Sequence, residues 1–158
     1  MVSMYEIKYF TYANEDFLKL NSLLDDDYFD KYGEISLKYK PYNSLDDVKD
    51  FFVAYEGNSA VACGCIRYFA DDTAELKRVF VLKEYRRQGI AEAIVKRCEE
   101  KAVELGYQYL TLETGVKLTE AIELYLKKGY SMIENFGQFA GDEICCCMRK
   151  QLICNVEK

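Results

Sequence analysis

The stretch RRQGIAEAI, residues 86–94, sets two arginines and a glycine directly before a segment patterned as a helix, in a chain whose net charge is −6. Glycine opens a helix poorly by propensity, so Gly89 points to a ligand that must approach the backbone closely. A helix start presents N–H groups without intrahelical partners and a partial positive charge, so the visitor that suits this stretch is an anion, and a phosphate in particular. Neither GxGxxG nor GxxxxGK[ST] occurs, which turns the reading away from dinucleotide folds and P-loops.

The chain contains no histidine. That removes Ser-His and Cys-His nucleophile pairs, HExxH metalloenzymes and histidine-bearing zinc sites, and leaves carboxylates, tyrosine, lysine, cysteine and backbone groups to carry any chemistry. Seven cysteines are an odd number, and CGC at 63–65 and CCC at 145–147 contain no CxxC. They read as small core residues kept as thiols. In a strand, neighbouring side chains point to opposite faces, so the CCC run does not converge on one ion, and no metal is expected.

The elements that position these residues follow from periodicity. MYEIKYF alternates as a strand, and NEDFLKLNSLL puts Phe17, Leu20 and Leu24 on one helical face behind Asn14 as N-cap. DDDYFDKYGEISLKYKPYNS reads as a polar, tyrosine-rich segment with a short helix starting near Ser44. DFFVAYEG, SAVACGCIRYF and AELKRVFVL are strands in succession, joined by a glycine-asparagine turn and by DDTA. After RRQG, Ile90, Ile94, Cys98, Ala102 and Leu105 recur at helical spacing up to Gly106. YQYLTLET, the helix TEAIELYLKKG, and the strands YSMIEN and EICCCMRKQL complete the chain. A strand-helix-strand unit of this length implies a parallel pair, so the fold class is α/β (α+β): a mixed sheet, antiparallel in its first half, with one parallel pair in the middle and flanking helices.

With half of its 158 residues apolar, the chain can bury a proper core, and residues 1–158 are expected to form a single domain. No eighteen apolar residues run together, and MVSMYEIKYF carries charges where a secretory signal needs an apolar run, so the expectation is a cytoplasmic protein with no membrane contact. The acidic balance argues against nucleic acid and favours small cationic partners.

AELKRVFVLKEYRRQGIAEAIVKRCEEKAVELGYQYLTLETG, continuing through AIELYLKKGY to NFGQFAGDEICCCMRKQL, resembles the GNAT superfamily of N-acetyltransferases. The resemblance implies acetyl-CoA as donor and cosubstrate, held between the splayed strands of the parallel pair. Its pyrophosphate would lie on the backbone of Arg86, Arg87, Gln88, Gly89, Ile90 and Ala91, with Phe80 and Val81 pairing with the pantetheine arm and Tyr125 near the thioester sulfur. One departure stands out: many relatives have asparagine where this chain has Leu118.

The chemistry agrees with that implication. An amine of pKa near 10 is about one part in a thousand neutral at pH 7, so a base must take its proton, and Glu75 in AELKR is the candidate. A carboxylate of ordinary pKa about 4.3 needs burial or a water relay for this task. A thiolate of pKa around 8.5 can be protonated on departure by a phenol of pKa about 10, which assigns Tyr125 as general acid. Backbone N–H groups at Phe80 or Val81 suit polarisation of the thioester carbonyl.

The acceptor is expected to be a primary amine of a small molecule, amino acid or peptide, entering over DDDYFDKYG and ENFGQF, with Asp25, Asp26, Asp27 and Asp30 available to attract a cation. The alternative function is a GNAT-like module that holds acyl-CoA as a sensor without turnover. A homodimer is left open.

Overall fold

The computed structural model describes residues 5–152, so Met4 of the expected opening strand and the seventh cysteine, Cys154, lie outside the described residues. The backbone groups into two compact units. The first holds the chain up to Arg67 together with Lys77–Cys98, and the second holds Tyr68–Leu76 and the chain from Glu99 onward.

Seven strands form one sheet: β1 (Tyr5–Phe10), β2 (Asp50–Glu56), β3 (Ser59–Ala70), β4 (Thr73–Val81), β5 (Tyr109–Gly115), β6 (Ser131–Ile133) and β7 (Cys145–Gln151), in the order β1-β2-β3-β4-β5-β7-β6. Three α-helices, α1 (Glu15–Tyr32), α2 (Ile90–Glu104) and α3 (Thr119–Lys127), connect them. β4 and β5 pair in parallel, while β1–β2, β2–β3, β5–β7 and β6–β7 pair antiparallel. The mixed sheet expected from the strand-helix-strand pattern is the one observed.

In the first unit, Asn14 caps α1: its Oδ1 accepts from the Phe17 N–H at 2.8 Å, and Glu15 and Asp16 in the first turn suit the dipole. The helix buries Phe17, Leu20 and Leu24, and the Phe17 ring meets Phe51 edge-on at 4.8 Å. β2 and β3 are registered Phe51↔Cys65, Phe52↔Gly64 and Val53↔Cys63. Alternation therefore sends Phe51, Val53, Cys63 and Cys65 to the α1 face, where they join one apolar cluster with Phe80. Phe52 and Gly64 face the other way, where the Arg97 guanidinium of α2 lies 5.4 Å from the Phe52 ring centre. A Cβ at Gly64 would come within 2.6 Å of Ile94 Cγ2, so only glycine lets α2 seat this close to the sheet. Covered on both faces, FFVAY and VACGC read as near-continuous apolar runs rather than alternating ones.

In the second unit the parallel ladder consists of Thr73↔Tyr109, Ala74↔Leu110 and Glu75↔Thr111, and ends there, although β4 runs on to Val81 and β5 to Gly115. β5 pairs over its full length with β7. The parallel ladder thus covers only the first three residues of β4. α2 stops at Gly106 (φ +95°), where Gly106 N–H bonds Val103 O and Tyr107 N–H bonds Ala102 O, each at 2.9 Å. α3 ends in the same arrangement at Gly129.

The structure differs locally from the sequence pattern in three places. α1 does not end with NEDFLKLNSLL but continues through DDDYFDKY, because Tyr28, one turn after Leu24, packs on the same core and Asp27 pairs with Lys31 one turn later at 3.5 Å. A 3-10 helix over Gly33–Asn43 follows, and no helix begins at Ser44, whose hydroxyl instead accepts the Asp46 N–H at 3.2 Å in a turn. Leu105 lies one residue beyond α2 and is exposed. Among the described residues no helix is long and apolar enough to cross a membrane.

Candidate functional site

In the first unit, the chain leaves β4 through a short 3-10 turn, Lys83–Tyr85, and reaches α2 by way of Arg86–Gly89. Arg87 (φ +64°) and Gly89 (φ +82°) both adopt the left-handed conformation. A Cβ at Gly89 would meet no protein atom within 4 Å, so the chain's own packing does not call for glycine here; the backbone conformation does. The first bond of α2 runs from the Ala93 N–H to Gly89 O at 3.1 Å, and the amides of Ile90 and Ala91 precede it. A left-handed residue leading into a helix gathers successive N–H groups on one side, which is the arrangement that receives phosphate.

The loop is bolted in place by its side chains. Arg86 Nε donates to Val81 O at 2.8 Å, its guanidinium lies 5.5 Å from the Phe80 ring centre, and Asp27 Oδ2 of α1 is 3.5 Å from Nη2. Tyr85 donates its hydroxyl to Glu56 at 3.0 Å, a bond that raises the phenol pKa, and Tyr5 donates to the Gln88 side-chain oxygen. Phe80, Val81 and Arg86 thus come together. Arg86 and Gln88 spend their side chains on contacts within the fold. Arg87 is the exposed cation of the loop.

In the second unit, Glu75 is buried at 6% exposure, at the last residue pair of the parallel ladder. Cross-strand pairing puts Thr111, Arg149, Glu113 and Cys147 on its face of the sheet. Burial first, then the charges of Glu113 and Glu75, push the Cys147 thiol up to about 11, and burial with Glu113 and Asp142 pushes Cys145 up to about 12. Glu113 is a second carboxylate on this face that the sequence reading missed. The alternation of LTLET carries the signal, since Glu113 stands two residues after Thr111. Tyr125 is buried on α3, its ring edge-on to Tyr130 at 5.6 Å, and Tyr130 donates its hydroxyl to Glu99 at 2.8 Å. Leu118 occupies the N-cap of α3 and makes no side-chain cap bond.

The acidic run expected to attract a cationic acceptor is partly committed within the chain. Asp25 pairs with Arg78 at 2.5 Å, and Asp27 with Arg86 and Lys31 at 3.5 Å each. In ENFGQF, Asn135 donates to the carbonyls of Asp142 (2.9 Å) and Cys145 (3.1 Å), while Phe136 stacks edge-on with Phe69 at 4.8 Å and Phe139 at 5.9 Å. Among the described residues no group of three or more Cys, Asp or Glu is placed to hold a metal ion, and six cysteines are unbridged.

Residues 17–130 match the family model of the acetyltransferase (GNAT) family. The chain is similar to an IAA acetyltransferase of Azospirillum brasilense, 36% identical over 106 residues that span 65% of this chain and 67% of that protein. Its backbone is similar to a candidate acyl-CoA N-acyltransferase from Klebsiella pneumoniae (TM-score 0.79, 25% identity, 96% of this chain and 100% of the other). A GNAT family acetyltransferase from Elizabethkingia anophelis with acetyl-CoA bound shares the fold as well (TM-score 0.69, 20% identity, 93% and 97%).

Proposed function

Because this chain belongs to the GNAT family of acetyltransferases, we propose that it is an N-acetyltransferase that moves an acetyl group from acetyl-CoA to a primary amine of a small molecule, amino acid or peptide. The observation that carries the reading is the loop at the start of α2, where Gly89 in the left-handed conformation and the leading amides of Ile90 and Ala91 fit a pyrophosphate. The end of the β4–β5 ladder after Glu75 supports it, since a strand that has lost one neighbour can pair along a pantetheine arm through Phe80 and Val81.

Acetyl-CoA supplies the activated acetyl group, and the chain's own residues handle protons. Glu75, kept out of bulk water, takes the proton of the attacking ammonium directly or through a water relay. Tyr125 protonates the departing thiolate, and no histidine exists to compete for that role. The reaction needs no metal and takes place on a small cationic acceptor in the cytoplasm.

The test is a thiol-release screen of amines with acetyl-CoA, accompanied by calorimetry with CoA. Turnover with at least one amine supports the reading. Tight CoA binding without turnover across amino acids, polyamines and peptide N-termini would move the assignment to an acyl-CoA sensor.

A further inference from the structure

We propose that Arg78 is a positioning residue for the acyl-binding part of β4: held by Asn21 and Asp25 of α1, it maintains a left-handed bend that aims the backbone of Phe80 and Val81. The proposal rests on the acetyl-CoA reading above for its functional meaning, though not for its structural test. Arg78 has φ +59° in the middle of a strand, a strained conformation for a residue with a Cβ that persists only where the surroundings impose it.

The packing around Arg78 imposes it. The Arg78 side chain is 2% exposed, so its guanidinium cannot be left without partners. Nε donates to Asn21 Oδ1 at 2.5 Å, and Nη2 donates to Asn21 O at 3.1 Å and to Asp25 Oδ1 at 2.5 Å. Asn21 and Asp25 are one helical turn apart, so a single face of α1 presents both to one planar cation. From the other side, the thiols of Cys63 and Cys65 donate to the carbonyls of Arg78 and Lys77, each at 3.4 Å. The CGC motif thereby gains a role beyond packing: its two thiols brace the bend while Gly64 between them admits α2. The bend comes three residues after the last residue pair of the parallel ladder and two before Phe80, so its direction sets that of the strand that follows.

An arginine that served stability alone would make different predictions from one that orients a strand, and glycine separates the two. Arg78→Gly accepts a positive φ without strain but loses the grip of α1. The experiment compares wild type, Arg78→Gly, Asp25→Ala and Asp25→Asn by amide hydrogen exchange at Phe80 and Val81, calorimetry with CoA, and kcat with the best amine. In Arg78→Gly and Asp25→Ala, exchange at these two amides is expected to speed up about tenfold or more, with kcat falling by a similar factor and CoA affinity falling as well, because Arg86 ties the pyrophosphate loop to Val81 O and the Phe80 ring. Asp25→Asn, which keeps an oxygen for the guanidinium, is expected to restore the protection lost in Asp25→Ala. Unchanged exchange at Phe80 and Val81 in Arg78→Gly overturns the proposal, whatever the turnover. If wild type turns over no amine, the acetyltransferase reading fails while the exchange comparison still decides the role of Arg78.

Discussion

Two helix starts in the first unit meet the same physical problem and resolve it in opposite ways. α1 is closed by its own sequence: Asn14 fills one of the leading amides, and acidic residues follow. α2 has Gly89 in the equivalent place, a residue with no side chain to fold back, in a backbone conformation that turns the amides outward. A capped start is finished within the chain, whereas the start of α2, bolted down by Tyr85, Arg86 and Gln88, suits the phosphate proposed for it. Rigid supports around open donors are what favour binding without a cost of reorganisation.

The largest expected effect comes from closing the open start. Gly89→Val places a β-branched residue at φ +82° and a side chain over the amides, so CoA binding measured by calorimetry should fall by at least about a hundredfold, while circular dichroism stays close to wild type. Unchanged CoA affinity would remove the loop from the site and dissolve the contrast between the two helices.

Next in size is Tyr125→Phe, which tests the general acid proposed on α3. Loss of the hydroxyl alone should lower kcat about ten- to a thousandfold with CoA affinity retained. An unaltered kcat with a raised KM would make Tyr125 a packing residue and leave proton donation to water.

Gly64→Ala tests how tightly α2 is seated. The added methyl would lie 2.6 Å from the branch methyl of Ile94, a stiff side chain, so denaturant unfolding should show a loss of about 1–3 kcal/mol. A neutral result would mean that α2 can shift on the sheet, and with it the amides at its start. Asn14→Ala is the control at the closed start: about 1 kcal/mol of stability should be lost with CoA affinity intact.

A slighter effect concerns the thiols of the second unit. Burial raises Cys145 and Cys147 above the ordinary thiol range, to about 12 and about 11, so the folded state favours their protonated form. Their contribution to stability is complete below about pH 9 and declines as pH rises through 11 and 12. At pH 8, alkylation of both should be slow in the folded protein and fast after denaturation. Equal rates in the two states would contradict their burial.

Much of this was legible in the sequence because it is local. Asn14 before an apolar helical stripe, the alternating and continuous apolar runs of β1 to β3, and glycines at 89, 106 and 129 are decided by propensity, periodicity and backbone sterics, and each is found where its pattern placed it. Charge spacing was a poorer guide. DDDYFDKYG looks like a solvated acidic run, yet it continues α1 because Tyr28 reaches the core, and two of its aspartates hold arginines that lie more than fifty residues away in the chain.

The sequence by itself determined the order of elements, the mixed sheet and a helix start opened by glycine, since these depend on neighbours within a few residues. Only the tertiary structure decided that Arg78 takes a left-handed bend, that the CGC thiols support it, and that Glu113 shares a face with Glu75. A positive φ at arginine is unfavourable in any local fragment and becomes stable only when α1 and β3 close around it, and strand register, which brings Glu113 beside Cys147 and Thr111 beside Glu75, is fixed by pairing between segments that no local pattern relates.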